Sequence, residues 1–317
     1  MLVTSSASFI KVTEIWAPSS SGEHMELQSG SYGELDAFRE ASKSESFAYD
    51  EGLPGKVWST RAPVILKEFT NQNFKRTAIA HESGLSCGIA FPVFIGEFLK
   101  AVVVFLCGEE GEHLGAIESW KRESHSGHDI GLADGYFGTM DDFGFITQQT
   151  RYTKGFGLPG LVWEKNMPVI IDDLGHSGSF SRTFDLSSAE ITSAVGIPCH
   201  GDSGKTSIVC LLSSAKMPIA RRYEIWIPTI DRSGLELFSA TCSQTPGHRK
   251  AMCSHKIEKA TGALGLTWRT GLPYIGTLSS DSTSIPEKSA FEAGLTQVVT
   301  VPTTENGLLK AIIAWYL

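Results

Sequence analysis

The stretch GLPGKVWSTRAPVI, Gly52–Ile65, decides the reading, because the chain writes it twice more. It returns as GLPGLVWEKNMPVI at Gly157–Ile170 and, more worn, as GALGLTWRTGLPYI at Gly262–Ile275. Trp58, Trp163 and Trp268 are therefore spaced by 105 and 105 residues, and Gly55, Gly160 and Gly265 keep the same interval. So do Pro63, Pro168 and Pro273, and Lys100, Lys205 and Lys310. Upstream, each copy opens on a short word, EIW at Glu14–Trp16, ESW at Glu118–Trp120 and EIW at Glu224–Trp226. Six of the seven tryptophans thus form three pairs, 42, 43 and 42 residues apart. Downstream, Pro92, Pro198 and Pro302 are spaced by 106 and 104.

A period near 105 residues is the size of a domain and exceeds the ~20–45 residues of a solenoid repeat. The 317 residues therefore divide into three consecutive units, 1–110, 111–216 and 217–317. The joints are short, GEEGEHLGAI before the second unit and SSAKMPIARRY before the third, which implies packed neighbours. Whether the units close into a ring or form a string is left open by the sequence.

Within a unit, EIWIP, TIDRSG and LELFSA read as strand, turn and strand, a hairpin. Helical spacing is expected over 34–43, 140–149 and 248–261. The glycine word should turn into a short helix carrying the tryptophan, ended by Pro63. Val64–Leu66 and Val169–Ile171 are short strands. GIAFPV (Gly88–Val93) and KAVVVFL (Lys100–Leu106) form a strand pair, matched by AVGIPC with KTSIVCL and by VVTVPT with KAIIAWY. Their β-branched, apolar composition suits buried strands, and the proline should sit at a strand end or edge. The fold class is α+β, each unit a central antiparallel sheet covered by short helices. The tryptophans are expected as core anchors.

Composition removes several functions. With 27 Lys and Arg against 35 Asp and Glu, a net charge of −8, a non-specific hold on nucleic acid is excluded. No apolar run approaches the ~20 residues of a membrane span, and the start MLVTSSASFIK carries no signal-peptide pattern. The six cysteines form no CxxC pair, which suits reduced thiols in a cytoplasmic protein.

The ordered words, GLPGKVW with its proline, FKRT followed by AIAHESGL, then GIAFPV and KAVVVFL, resemble the GAF family of small sensory domains. The first copy fits nearly throughout, the second keeps SFSRTF and AVGIPC, and the third reads STSIPEK where the others carry Phe-x-Arg-Thr. The resemblance implies a sheet with a pocket on one face, roofed by helices and loops. It also implies a non-catalytic small-ligand sensor in signal transduction, with a protein interaction scaffold as the alternative. The terminal helices usual in such domains are reduced here, and no kinase, cyclase, phosphodiesterase or DNA-binding segment is expected beyond the three units.

Candidate site residues are Phe74, Arg76 and Thr77 in the first unit and Phe180, Arg182 and Thr183 in the second. An arginine in a loop over a pocket either grips a ligand carboxylate or phosphate through its planar fork or braces the loop against the sheet. Pro286 stands at this place in the third unit. No catalytic residue, cofactor or metal is expected. His248, Cys253 and His255 make the best local metal-like cluster but lack the usual ligand spacing. A methionine sulfoxide reductase activity, another use of the family, needs two converging thiols, and nothing in the spacing forces Cys87 and Cys107 or Cys199 to converge. A small molecule and a partner protein are the expected partners, with no nucleic acid and no membrane insertion.

Overall fold

A computed structural model describes residues 9–108, 115–122, 127–175, 191–201, 205–214, 218–243, 245 and 247–317. The first unit contains β1 (Ile10–Pro18), β2 (His24–Ser31), α1 (Asp36–Lys43), β3 (Ser46–Ala48), α2 (Gly52–Thr60), β4 (Val64–Leu66), α3 (Thr77–Glu82), β5 (Leu85–Ile95) and β6 (Phe98–Gly108). The second contains β7 (Gly115–Lys121), β8 (Asp129–Tyr136), α4 (Asp141–Gln149), β9 (Arg151–Thr153), α5 (Gly157–Lys165), β10 (Val169–Ile171), β11 (Ile191–Pro198) and β12 (Ser207–Ser214). The third contains β13 (Arg222–Pro228), β14 (Leu235–Cys242), α6 (His248–Met252), β15 (Lys256–Ile257), α7 (Gly262–Thr270), β16 (Tyr274–Thr277), α8 (Ile285–Glu292), β17 (Gln297–Glu305) and β18 (Leu308–Tyr316).

Three antiparallel six-stranded sheets result, with the orders β3-β2-β1-β6-β5-β4, β9-β8-β7-β12-β11-β10 and β15-β14-β13-β18-β17-β16. Equivalent strands occupy equivalent places in all three. The helix expected over 248–261 stops at Met252, and Lys256–Ile257 instead pairs with β14 as an edge strand, as β3 and β9 do with β2 and β8. Pro92 and Pro302 lie inside their strands rather than at the ends. Pairing on the outer side of β5 stops at Val64↔Ala90, and on β17 at Tyr274↔Thr300, so each proline sits where its strand is locally an edge. No ladder hydrogen bond is lost.

Each sheet is apolar on both faces, because successive side chains alternate. Trp16, Trp120 and Trp226 lie on the helix-covered faces, each fully buried in its own unit's core. Trp58, Trp163 and Trp268, on α2, α5 and α7, pack half-buried onto the same three cores. The opposite faces meet in one shared interior. Phe91, Val103 and Phe105 of the first unit, Ile197 and Leu211 of the second, and Val301, Ile313 and Trp315 of the third belong to it. Phe105 and Trp315 touch edge to face across that interior, with ring centroids 5.3 Å apart.

The arrangement closes on itself. β4 lies against β8, β10 against β14, and β16 against β2, so an edge strand of each unit meets the second strand of the next. Pro92, Pro198 and Pro302 converge around a small hollow where the units meet. The first joint carries a Lys67–Asp134 ion pair at 2.9 Å, the second and third units are tied by Asn166 donating to Glu305 at 3.2 Å, and the ring closes with Ser31 donating to Gln297.

The repeated glycine has a packing reason. A Cβ at Gly55 would lie 2.2 Å from the Ala48 carbonyl oxygen, and at Gly160 and Gly265 2.2 and 2.4 Å from those of Thr153 and Glu258. The tryptophan helix is pressed directly onto the edge strand, and the third copy keeps this glycine although it has lost the neighbouring proline. Gly55→Ala is expected to lower stability by about 1–3 kcal/mol in urea unfolding, while exposed Lys56→Ala stays within about 0.5 kcal/mol. Equal midpoints for the two would rule out the tight approach.

The shared interior makes a second prediction. Phe105→Ala should destabilise by about 3–5 kcal/mol and shift one calorimetric transition as a whole. A split into separate transitions, with one unmoved, would show that the units fold independently.

Candidate functional site

The polar centre of each unit lies on its first strand. In a strand, residues two apart share a face, so the acid of the Glu-x-Trp word is buried beside its indole. Glu14, Glu118 and Glu224 are all fully buried. The indole Nε1 of Trp16, Trp120 and Trp226 donates to its own glutamate at 2.9, 2.9 and 2.8 Å. Each tryptophan also follows a register shift in the pairing with the next strand, between Ile15 and Trp16, Ser119 and Trp120, and Ile225 and Trp226. A carboxylate so placed needs a cation or several donors to offset desolvation.

In the first unit the cation is Arg76. Its Nη1 and Nη2 donate to the two oxygens of Glu14 at 2.5 and 2.9 Å, and Nη1 also reaches the Ser42 hydroxyl. Tyr32 adds a third donor to Glu14 at 3.1 Å. The guanidinium lies over the rings of Phe38 and Phe74, at 4.7 and 5.1 Å. Phe74 stacks on Phe69 at 4.1 Å, and Thr77 ties the loop by donating to the Phe74 carbonyl. Phe74, Arg76 and Thr77 are therefore brought together, all buried, with the fork of Arg76 turned inward to Glu14. Burial pushes the Glu14 carboxyl up, but the charge and hydrogen bonds of Arg76, helped by Trp16 and Ser42, hold it below its ordinary value.

Phe180, Arg182 and Thr183 lie outside the described residues. In the third unit, where Pro286 replaces the arginine, the acid is satisfied from other elements. His248 Nε2 stands 2.6 Å from Glu224, and the Tyr316 hydroxyl donates to it at 2.8 Å. Arg222, two residues earlier on the same strand, places its guanidinium 4.0 Å from Glu224 while donating to the Pro286 and Ser289 carbonyls of α8. His248 thus belongs to this acid, whereas Cys253 is exposed at the end of α6. Burial, then the charge of Glu224, pushes the Tyr316 phenol up.

The three glutamates were passed over in the sequence reading, which took the tryptophans from the same words. The signal was present: a charged residue two positions before a strand tryptophan shares its buried face.

Open space lies at the joints. A cleft of about 530 Å³ between the first and second units is lined by Lys67, Asp134, Phe137 and Gln148. Its counterpart between the second and third, about 400 Å³, is lined by Asp172, Thr241, His248 and Arg249.

No protein-family model matches the chain, and no curated protein does. Solved structures similar to it include a mutated NreA protein, altered in its nitrate-binding site, from Staphylococcus aureus, at 16% identity over 33% of this chain and 77% of that one, with a TM-score of 0.27. An A. aeolicus nlh2 GAF domain aligns at 20% identity over 32% of this chain and 60% of its own, TM-score 0.26. The GAF domain of an Acinetobacter phosphoenolpyruvate-protein phosphotransferase aligns at 18% identity over 33% and 60%, TM-score 0.26. Each alignment spans about the length of one unit. Within the chain itself, the same sheet order, with helices on one face and the same words at the same places, recurs three times. The chain is three tandem α+β units of one fold. Among the described residues no helix is long and apolar enough to cross a membrane.

The buried pair of the first unit makes stability depend on pH. A carboxyl held below its ordinary 4.5 contributes fully above that value and loses its contribution as pH falls through the lower folded value. Arg76→Met alone should cost about 3–5 kcal/mol, because it strands a buried charge. The double variant Glu14→Gln/Arg76→Met should cost less and flatten the acid limb of urea midpoints below pH 4.5. Additive losses would show the two side chains to be uncoupled.

Proposed function

We propose that the protein acts by binding rather than catalysis, as a sensory module of signal-transduction type whose small-ligand sites are the clefts between the GAF-like domains. The observation that carries this reading is the engagement of Arg76 by Glu14. The first domain's interior is filled by its own neutralised pair, and of the two roles open to Arg76 this favours the brace. A buried pair with every carboxylate oxygen bonded offers no group to attack a substrate or carry a proton. The clefts retain charged and hydroxyl groups at their walls, Lys67 and Asp134 at one joint and Asp172 and Arg249 at the other. A ligand there would read the relation of two domains. A cytoplasmic setting fits the buried thiols.

A thermal-shift panel of small carboxylates, phosphates and amino acids tests the proposal. A ligand is expected to raise the melting temperature of the native chain and to lose that effect on Lys67→Ala/Asp134→Ala or on Asp172→Ala/Arg249→Ala. A panel with no shift, or a shift that both cleft variants retain, overturns it.

A scaffold reading has one specific observation in its favour. Ile230 is fully exposed and Leu308 more than half exposed at the rim of a groove floored by Met167, Ile227 and Leu309. Loss of a native partner on Ile230→Asp/Leu308→Asp, with melting unchanged, would favour it over the cleft reading.

A further inference from the structure

We propose that Cys87 and Cys107 form an oxidisable dithiol, a site at which a small two-electron oxidant closes a disulfide across the central hairpin of the first domain. Sequence spacing gave no reason for these thiols to meet. The register does: Cys87 on β5 pairs directly with Cys107 on β6, in step with the ladder from Gly88↔Leu106 to Val93↔Ala101 and just inside a shift between Leu85 and Cys87. Both side chains face the shared interior.

The second domain supplies an independent measure of the geometry. At the equivalent positions Ser193 pairs with Ser213 after the same shift, between Ile191 and Ser193, and their hydroxyl oxygens are 3.1 Å apart. This place in the fold therefore holds two γ atoms in contact. A disulfide needs the sulfurs at ~2.05 Å and the Cβ atoms near ~3.8 Å, slightly closer than the ~4.5–5.5 Å of cross-strand partners. The bond would form with some strain and be readily reduced. The third domain has Gln297 and Leu317 there, which cannot bridge.

The remaining cysteines are placed otherwise. Cys199 faces the shared interior while Cys210 lies on the helix side of the same sheet, so they cannot meet without turning a strand over. Cys242 is half-buried and Cys253 exposed. Burial, and then Cys87 beside it, pushes the Cys107 thiol up, so that thiol stays protonated and unreactive while the ladder is closed. Reaction proceeds through fraying at the ladder end, since Cys107 is followed in β6 by Gly108 alone and Cys87 lies two residues from the start of β5. That selects a small uncharged oxidant. With diamide, one thiolate adds to the N=N bond and the second displaces the hydrazide from sulfur. The S–S bond forms as the S–N bond breaks, and the oxidant leaves as the hydrazine carrying the two thiol protons.

The test treats the native full chain with diamide, denatures it, alkylates the remaining thiols and maps the peptides by mass. The expected result is loss of two hydrogens, alkylation of four of the six cysteines, and a linked peptide pair containing Cys87 and Cys107 that dithiothreitol reverses. Cys87→Ser/Cys107→Ser copies the serine pair the second domain already tolerates, and it should lose no mass under the same treatment. The variant Cys199→Ser/Cys210→Ser/Cys242→Ser/Cys253→Ser should still form the bond. Six alkylated cysteines after treatment of the folded protein, or a linked pair that excludes either Cys87 or Cys107, overturns the proposal.

Discussion

Two-sided burial of every sheet is the constraint on which the rest of this structure depends. An isolated antiparallel sheet can leave one face to water. Here one face is covered by the domain's own short helices and the other by the two neighbouring domains. Val102, Val104 and Leu106 serve the first core while Val103, Phe105 and Cys107 serve the shared one, along a single strand. Among the described residues each domain's helices lie on one face of its sheet, so each needs the other two. The prolines mark the same constraint, since the strand segments they occupy are edges within their own sheet yet lie at the centre of the ring.

Burial on both faces also explains the care taken over the three glutamates. A charged side chain on a central strand has no route to water, and an indole donor alone leaves most of its desolvation unanswered. The first domain answers with a bidentate arginine 62 residues away. The third answers with His248, Tyr316 and the nearby Arg222. Its Phe-x-Arg-Thr word has changed without exposing the acid, because other elements supply the donors. What persists is the demand made by the acid, and the residue that meets it is exchangeable.

Much of this was legible in the sequence, and the boundary is physical. Spacing of tryptophan, glycine and proline disclosed three units, their sheet-and-helix class and the core role of the indoles, since these depend on residues within one copy. Closure into a ring was not legible. Strands buried on both faces show no polar alternation, so nothing in VVVFL says what covers the second face. The Arg76–Glu14 pair joins residues from opposite ends of a unit, and the meeting of Cys87 with Cys107 hangs on the register of the β5–β6 ladder. The short edge strand at Lys256–Ile257 was hidden inside a helical pattern, because a strand of two residues has no period of its own.

Three similar units closed in a ring raise a problem of order, since any edge could meet any neighbour, including one on another chain. The joints differ where the folds do not. Lys67, Asp172 and Thr277 occupy equivalent places after β4 and β10 and at the end of β16. The first meets Asp134, the second faces a cleft with Thr241 and Arg249, and the third lies beside a joint held by Ser31 and Gln297. Setting Asp172 against Asp134 would oppose two carboxylates, and setting Lys67 into the second cleft would place it near Arg249. Mispaired joints thus lose an ion pair or gain a repulsion, and specificity rests on that difference. Divergence among the copies is therefore part of what makes the ring close in one order: identical joints would have left heterologous edges free to propagate from chain to chain.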